Sequence, residues 1–371
     1  MKTALVTGAA GFIGRNLTEA LGRRPDVGVV ALDRDDGERA LAEALGAADV
    51  VYHLAGVNRP NDDEEFTRVN AGLTEYIVTT LERARRRPAV ILSSSRQAAL
   101  DNAYGRSKRR AEDILRAWAR RSGGSAVVYR LPGVFGKWCK PNYNSVVATF
   151  CHNVARDLAV TVSDPERELA LVHVADVVDA FLQELGGRDN GAHDGEVTPV
   201  HVTTVGQLLA AVQAFRDIRE SGQLPDLADP FIRKLYSTYV SYLPTDGFAY
   251  SLQQKSDQRG VLAEFLKSSS CGQLFVSRTN PGVTRGNHYH DTKTEKFLVI
   301  EGEAIVVLRH RLTGETARVP AAGNDFTVVD IPPGWIHAIT NVGSGDLVVL
   351  FWACEPFDPG RPDTYPASTS T

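Results

Sequence analysis

Long apolar runs are missing from this chain of 371 residues. No window reaches the roughly 18 consecutive apolar residues that a membrane helix needs, so a membrane-spanning role is not expected. Met1-Lys2-Thr3-Ala4-Leu5-Val6-Thr7 runs straight into a glycine turn and reads as a first strand, not as a secretory leader. Cysteine is scarce: Cys139, Cys151, Cys271 and Cys354 are scattered and lack CxxC spacing. That argues against a disulfide framework or a thiolate metal site and suits a reduced, cytoplasmic protein. A surplus of charge of one sign is lacking too. The net charge of −4 gives no reason to expect nucleic acid or an anionic membrane as partner. The basic run Arg83 to Arg87 falls in a helix-like stretch and reads as a solvated face. No internal repeat is present. The remainder is ordinary for a soluble globular chain, 43% hydrophobic and 23% charged, with room for two or three domains.

Up to about residue 180, short apolar runs alternate with longer helical stretches. Strands are expected at Thr3–Thr7, Val27–Leu32, Val50–Ala55, Ala89–Ser94 and Ala126–Leu131, and helices from near Ile13, Glu38, Asn70 and Tyr104. Such alternation predicts a doubly wound parallel sheet of Rossmann type, with functional residues at the carboxyl ends of the strands. Residues 135–240 are less regular and are expected to pack a substrate pocket against that sheet; His201 to Leu209 reads as a strand and a capped helix. After about residue 245 the texture becomes β-rich: Gln273–Ser277, Lys296–Ile300, Ala304–Arg309, Thr327–Ile331 and Leu347–Trp352 are separated by Gly or Pro turns. This predicts an antiparallel all-β sandwich or barrel. The expected domains are therefore residues 1–243 and 244–371, with a disordered tail from Pro366.

Two chemical signatures stand about 180 residues apart. The first begins with Gly8-Ala9-Ala10-Gly11-Phe12-Ile13-Gly14, which follows a strand and opens a helix. Glycines there let the backbone approach a pyrophosphate, and the helix N-terminus offers it free N–H groups. Leu54, Ala55 and Gly56, at the end of the third strand, are expected to line the same cofactor. The second strand ends in Asp33-Arg34. An acid there favours the ribose of NADH and an arginine the 2′-phosphate of NADPH. The reading leans to NADPH, with Arg34 covering the phosphate if Asp33 turns aside. Tyr104 and Lys108, four apart, share one helix face. An ammonium beside a phenol favours phenolate, so Tyr104 is the expected proton-exchanging group and Lys108 its partner and the holder of the nicotinamide ribose. Ser93-Ser94-Ser95 closes the preceding strand; Ser95 is taken as the polarising hydroxyl and Ser94 as the reserve.

With these residues in place, positions 1 to about 240 resemble an extended short-chain dehydrogenase/reductase. Asp49 to Gly56, Asn70 to Thr74 and Val172 to Val178 carry the same resemblance. Most members with these motifs act on nucleotide-activated sugars. The resemblance makes His53 a neighbour of the cofactor pocket; His173 is expected to be a packed core histidine.

The second signature is a set of metal-ligand types. His288 and His290 project to one side of a strand, Glu295 follows a short polar turn, and His337 follows Pro332-Pro333-Gly334. Three imidazoles and a carboxylate suit Zn²⁺ first, and also Fe²⁺, Mn²⁺ or Ni²⁺. The spacing Gly282, five residues, His288-Tyr289-His290, four residues, Glu295, six residues, Gly302 resembles the first cupin motif. Pro332, Gly334, His337 and Asn341 resemble the second, but Phe326 stands where its leading glycine belongs, which weakens the turn. A rival reading exists, because Arg285-Gly286-Asn287-His288 also resembles the segment that carries the base of metal-free deoxysugar epimerases of cupin fold.

Both halves together resemble the CapF-type family of capsular polysaccharide synthesis enzymes. The strings that carry this are Phe135-Gly136-Lys137-Trp138-Cys139-Lys140-Pro141-Asn142-Tyr143-Asn144-Ser145-Val146, Ala148 to Cys151, Leu54 to Pro60, Leu235 to Tyr239 and Lys293 to Val299. The resemblance implies a homodimer acting on a UDP-linked 2-acetamido-4-keto-6-deoxyhexose, with the cupin epimerising C3 before the reductase reduces the C4 ketone. The product would be a UDP-N-acetyl-6-deoxy-L-talosamine. That order is chemically sensible, because the ketone acidifies the C3 hydrogen and its reduction then fixes the new configuration. Lys140, Asn142 and Asn144 are candidates for the diphosphate or uridine, with a merely bracing polar loop as the alternative. Tyr289 and His310 are candidate bases for the epimerisation, ahead of Lys296, which alternates away from Glu295. The alternative function is a one-step reductase whose cupin is a non-catalytic binding or dimerisation module.

Overall fold

The computed structural model describes every residue except Asn61, Arg188, Asp189, Ser370 and Thr371. The chain divides into two compact units, Met1–Val212 with Lys234–Leu243, and Gln213–Arg233 with Pro244–Thr371. Residues 213–233, which the sequence reading puts in the first domain, thus group with the second.

In chain order the first part runs β1 (Lys2–Thr7), α1 (Phe12–Gly22), β2 (Val27–Leu32), α2 (Gly37–Ala47), β3 (Val50–His53), α3 (Asp63–Phe66), α4 (Gly72–Arg83), β4 (Ala89–Ser95), α5 (Ala103–Ser122) and β5 (Ser125–Leu131). There follow β6 (Gly133–Phe135), α6 (Val146–Val154), β7 (Glu168–His173), α7 (Val174–Gln183), β8 (Gly191–Gly195), β9 (His201–Thr204), α8 (Val205–Ser221) and α9 (Pro230–Val240). Six strands form a parallel sheet in the order β2-β1-β3-β4-β5-β8, so the order reverses beside β1. Strand alternation divides the core. Ala4 and Val6 pack with Leu17, Leu21, Val177 and Phe181 on one face, while Leu5 packs with Leu45, Ile77, Leu115 and Trp118 on the other. Because both faces are covered, the strands read as continuous apolar runs. A smaller sheet, β6-β7-β9, is laid down by the less regular segment. The strand and helix expected over His201 to Leu209 are present, and Thr204 and Gln207 cap the helix reciprocally.

The second part continues with β10 (Gln254–Asp257), β11 (Gly260–Ser268), β12 (Gly272–Thr279), β13 (Thr284–Tyr289), β14 (Glu295–Glu301), β15 (Glu303–His310), β16 (Thr316–Ala322), β17 (Val328–Ile331), β18 (Trp335–Asn341), β19 (Leu347–Ala353) and β20 (Tyr365–Pro366). They form two antiparallel sheets, β10-β11-β12-β19-β14-β17 and β16-β15-β18-β13-β20. Phe297, Val306, Leu308, Ile331, Ile339, Val349 and Phe351 fill the core of this cupin-like module. Phe326 sits in its turn with φ +48°, a conformation that favours glycine, so the turn forms without one. The tail departs from expectation: Tyr365–Pro366 pairs with β13, and Ala367 N–H donates to the Asn287 carbonyl at 2.9 Å. The last two residues of that tail lie outside the described ones. Among the described residues no helix is long and apolar enough to cross a membrane.

Candidate functional site

The first site lies at the carboxyl ends of β1 and β3, where the sheet order reverses and a crevice opens. After β1 the chain turns at Gly8 with φ +68°, and a Cβ there would stand 2.7 Å from Ala55 Cα. A Cβ on Gly14 would stand 2.2 Å from the Gly8 carbonyl oxygen. Only glycine permits both approaches. Helix α1 starts at Phe12 and Ile13 behind Gly11, with no side-chain cap and no acid in its first turn. Its leading N–H groups thus present a positive end to a diphosphate. Leu54 and Ala55 are tied to β1 through Thr7, at 3.3 Å each. The cradle fits a dinucleotide.

Asp33 does not turn aside. Its carboxylate accepts Ala10 N–H at 2.9 Å and Arg34 N–H at 2.8 Å, while Asp33 N–H donates to Asp36 at 2.7 Å. Arg34 is exposed beside it. The condition attached to an Arg34–phosphate contact is therefore not met, and a carboxylate stays at the ribose position together with the guanidinium.

Asn102 caps α5 by accepting Gly105 N–H at 2.7 Å, which sets Tyr104 in the first turn and Lys108 one turn on. Ser95, at the end of β4, shares a side-chain hydrogen bond with Tyr104. Ser94 points the other way and donates to buried Glu112, which also holds Arg130 in a two-pronged ion pair. Lys108 Nζ donates to the Ser93 carbonyl at 3.0 Å and stands 6.0 Å from the Tyr104 ring centroid. Burial raises the Tyr104 phenol above its ordinary value, against the opposing Ser95 bond. Burial also lowers Lys108 to about 8. The phenolate expected from a neighbouring ammonium is therefore not favoured, because desolvation outweighs the distant charge. Tyr104 is therefore held in its protonated form.

Several neighbours are supports. His53 is buried between Thr7 Oγ1 at 3.1 Å and Thr74 Oγ1 at 2.9 Å, and burial lowers it to about 3. His173 accepts Ala175 N–H at 3.3 Å at the start of α7 and packs edge-on to Phe135. Asn70, on a π turn between α3 and α4, accepts Val57 N–H at 2.9 Å and donates to Ser107 at 3.0 Å. It fixes the loop in which a Cβ on Gly56 would come within 3.3 Å of Lys108 Nζ. The sequence reading quotes Asn70 as a motif member without this role. Of the substrate candidates, Lys140 lies 5.2 Å from the Tyr143 ring centroid. The Asn142 amide donates to Asn153 at 3.3 Å, a bracing contact, and Asn144 is exposed.

The second site is built by three strands. His288 on β13 is paired in register with His337 on β18, His290 lies just past the end of β13, and Glu295 opens β14. A bulge at Asn287, φ +56°, sets the strand so that both histidines turn inward. One ligand atom from each of His288, His290, Glu295 and His337 lies within 4.8 Å of the others. Glu295 bridges two of them, 3.4 Å from His290 Nε2 and 3.6 Å from His337 Nε2. The opposite nitrogens face carbonyls: His290 Nδ1 lies 2.5 Å from the Asp363 oxygen, and His337 Nδ1 lies 3.3 Å from that of Trp335. Each Nδ1 then carries the proton and each Nε2 a lone pair. Both Nε2 atoms are buried without a hydrogen-bond partner among the described residues. Burial lowers His288, and it lowers His337 to about 4. Burial alone would raise Glu295, but His290 and the other imidazoles beside it lower it from its ordinary value. Three imidazoles, two with buried Nε2 atoms free of hydrogen bonds, beside a carboxylate form a donor set that fits a divalent metal.

The candidate bases fare unequally. His310 Nδ1 accepts Leu312 N–H at 3.3 Å and Thr313 N–H at 3.1 Å, so it caps a turn. Tyr289 stacks on Tyr365 with Arg311 3.9 Å from its ring centroid. Lys296 is exposed and paired with Asp330. Sequence reading missed Asp363 and the anchoring of buried Lys293, whose Nζ donates to the Pro362 carbonyl at 3.0 Å and to Thr364 Oγ1 at 3.3 Å. A single acid in a tail gives no sequence signal.

Residues 4–198 match the NAD dependent epimerase/dehydratase family. The chain belongs to that family. A nicotinamide cofactor follows from the membership and agrees with the cradle around Gly8. Residues 255–365 of this family member match the polysaccharide biosynthesis C-terminal domain. It is 43% identical, over 98% of both chains, to the UDP-2-acetamido-2,6-beta-L-arabino-hexul-4-ose reductase of Pseudomonas aeruginosa. It is also similar to the capsular polysaccharide assembling protein CapF of Staphylococcus aureus, with 42% identity, 98% of this chain and 99% of that one covered, and a TM-score of 0.89. A CapF structure with the inhibitor 3-isopropenyl-tropolone matches at 38% identity over 99% of each chain, with a TM-score of 0.86. The CapF-type arrangement read from the sequence strings thus extends along nearly the whole chain.

Proposed function

We propose that this chain performs two steps on one UDP-linked 2-acetamido-4-keto-6-deoxyhexose. Residues 244–371 bind a divalent metal, Zn²⁺ first, through His288, His290, Glu295 and His337, and epimerise C3. Residues 1–243 then reduce the C4 ketone, giving a UDP-N-acetyl-6-deoxy-L-talosamine. The protein acts as a homodimer in the cytoplasm. The cofactor is NADPH or NADH: exposed Arg34 is the partner a 2′-phosphate would use, and the Asp33 carboxylate stays where a ribose hydroxyl can use it.

When bound, the metal supplies a Lewis acid beside the carbonyl, and the nicotinamide supplies a hydride to C4. The chain's own groups do the rest. Tyr104, protonated and held by Ser95, gives its proton to the C4 oxygen as the carbonyl carbon is reduced. Lys108 keeps a positive charge at the floor of the crevice below about pH 8.

The observation that carries the two-step reading is the convergence of four ligand types from separate strands, two with buried and otherwise unpartnered Nε2 atoms among the described residues. A scaffold has no use for that arrangement, since unpaired buried nitrogens are costly. The Pseudomonas relative's name stops at reductase, and this favours the alternative of a one-step reductase with a non-catalytic C-terminal module.

One experiment separates them. The purified protein should hold about one divalent metal per chain. His337→Ala should lose it and stop exchanging the C3 hydrogen with solvent deuterium, while still reducing a substrate already epimerised. Full-rate exchange by metal-free protein would replace the metal reading with one in which His288 is a free base. No exchange by either form would leave the one-step reductase.

A further inference from the structure

We infer that Asp363 is the positioning residue of the metal site, locking the loop between His290 and Glu295 and fixing the tautomer of His290. The inference rests on the metal reading above. The Asp363 carboxylate accepts Asp291 N–H at 2.9 Å, Thr292 N–H at 3.0 Å, Lys293 N–H at 2.8 Å and the Thr292 hydroxyl at 3.1 Å. These are three successive backbone donors of the turn that carries the chain from one ligand to the next. Its backbone oxygen faces His290 Nδ1 at 2.5 Å, so one residue holds both the loop and the ring. Asp363 does this at φ +39°, a conformation L side chains rarely adopt. Strain of this kind persists where the surroundings over-determine the geometry.

The neighbours of Asp363 are anchored as well. Lys293 Nζ binds Pro362 and Thr364 on either side of it, and Tyr365 pairs with Tyr289 in the strand ladder. The segment from Pro362 to Tyr365 therefore forms a strap over the ligand loop. Removing the carboxylate leaves three loop N–H groups without their acceptor and frees Glu295 and His290 to drift. The Asp363 carbonyl remains, but it is no longer held to the loop, so its hold on His290 Nδ1, which keeps the other nitrogen bare, is loosened. Loss of an outer partner of this kind commonly weakens metal binding by about 10–100-fold.

The test is a Co²⁺ titration of the full-length, chelator-treated protein, followed by its visible absorption bands, with thermal unfolding of each metal-free form measured alongside. Asp363→Gly tolerates the backbone angle and removes only the side chain; it should bind Co²⁺ about 10–100-fold more weakly, with altered bands. Asp363→Asn keeps one acceptor and should fall between Asp363→Gly and the unaltered protein, and it serves if Asp363→Gly does not fold. Unaltered Co²⁺ affinity and bands in both variants, even with a lower melting temperature, would make Asp363 a merely structural residue and leave the metal reading standing. If the unaltered protein bound no Co²⁺, or Glu295→Gln bound it equally well, the metal reading itself would fall and this inference with it.

Discussion

The Lys108 ammonium bonds the Ser93 carbonyl at 3.0 Å and stands 6.0 Å from the Tyr104 ring centroid. Its charge is thus fastened to the end of β4 and is too far to ionise the phenol, whereas Ser95, two residues after Ser93, reaches the tyrosine directly. The ammonium and the phenol are thus held by different residues of the same strand end.

Tyr104→Phe should therefore abolish the proton and little else. Ketone reduction is expected to fall on the order of 10²–10⁴-fold, the usual worth of general acid catalysis. Cofactor binding, followed by fluorescence titration, should hold. Near-normal oxidation of the reduced cofactor by the variant would remove Tyr104 from the mechanism.

Lys108 is held at a cost to stability. Its folded pKa, near 8, lies below the value of ~10.4 in an unfolded chain, so the unfolded state keeps its proton longer. The penalty is full below about pH 8 and fades as pH rises toward ~10.4. Lys108→Met should accordingly be more stable than the parent by on the order of 1–3 kcal/mol at pH 7, and the gap should close toward pH 10.5. Urea denaturation at several pH values measures it. A gap that stays constant with pH would show that the ammonium carries no burial penalty.

Asp33 and Arg34 should pull cofactor choice in opposite directions. Arg34→Ala is expected to weaken NADPH and spare NADH, since charge-assisted phosphate contacts are the strong kind. Asp33→Asn should weaken NADH and favour NADPH, because it removes a carboxylate that repels the 2′-phosphate. Direct binding titrations of both cofactors decide the matter. Equal losses for the two cofactors in Arg34→Ala would mean that Arg34 only supports the turn.

Phe326 adopts a left-handed conformation with most of its side chain, 66%, exposed, so it gains little packing for its strain. Phe326→Gly should stabilise the protein by about 0.5–1 kcal/mol, the balance of relieved strain against a more flexible unfolded chain. Calorimetry would detect it as a higher melting temperature. A lower one would mean that the ring has packing that offsets its backbone.

Local patterns made much of this protein legible. Glycines at 8, 11 and 14 must lie where a strand meets a helix, because only that junction needs both a tight turn and open N–H groups. Tyr104 and Lys108 declare a shared helix face by their spacing, and His288 and His290 declare a shared side of a chain by theirs. These inferences succeed because helix and strand periods are properties of the backbone itself. Other features waited on the tertiary structure. The pairing of Ser94 with the buried Glu112 turns on how α5 lies along β4, and the orientation of Asp33 turns on the Ala10 N–H of a different loop. The protonation of Tyr104 depends on how deeply it is buried, which no spacing encodes. Asp363 and His290 are 73 positions apart, and no local pattern links them. Contacts at such separations are selected by the packing of whole strands, so the sequence named the ligand types and only the assembled sheets determined what holds them in place.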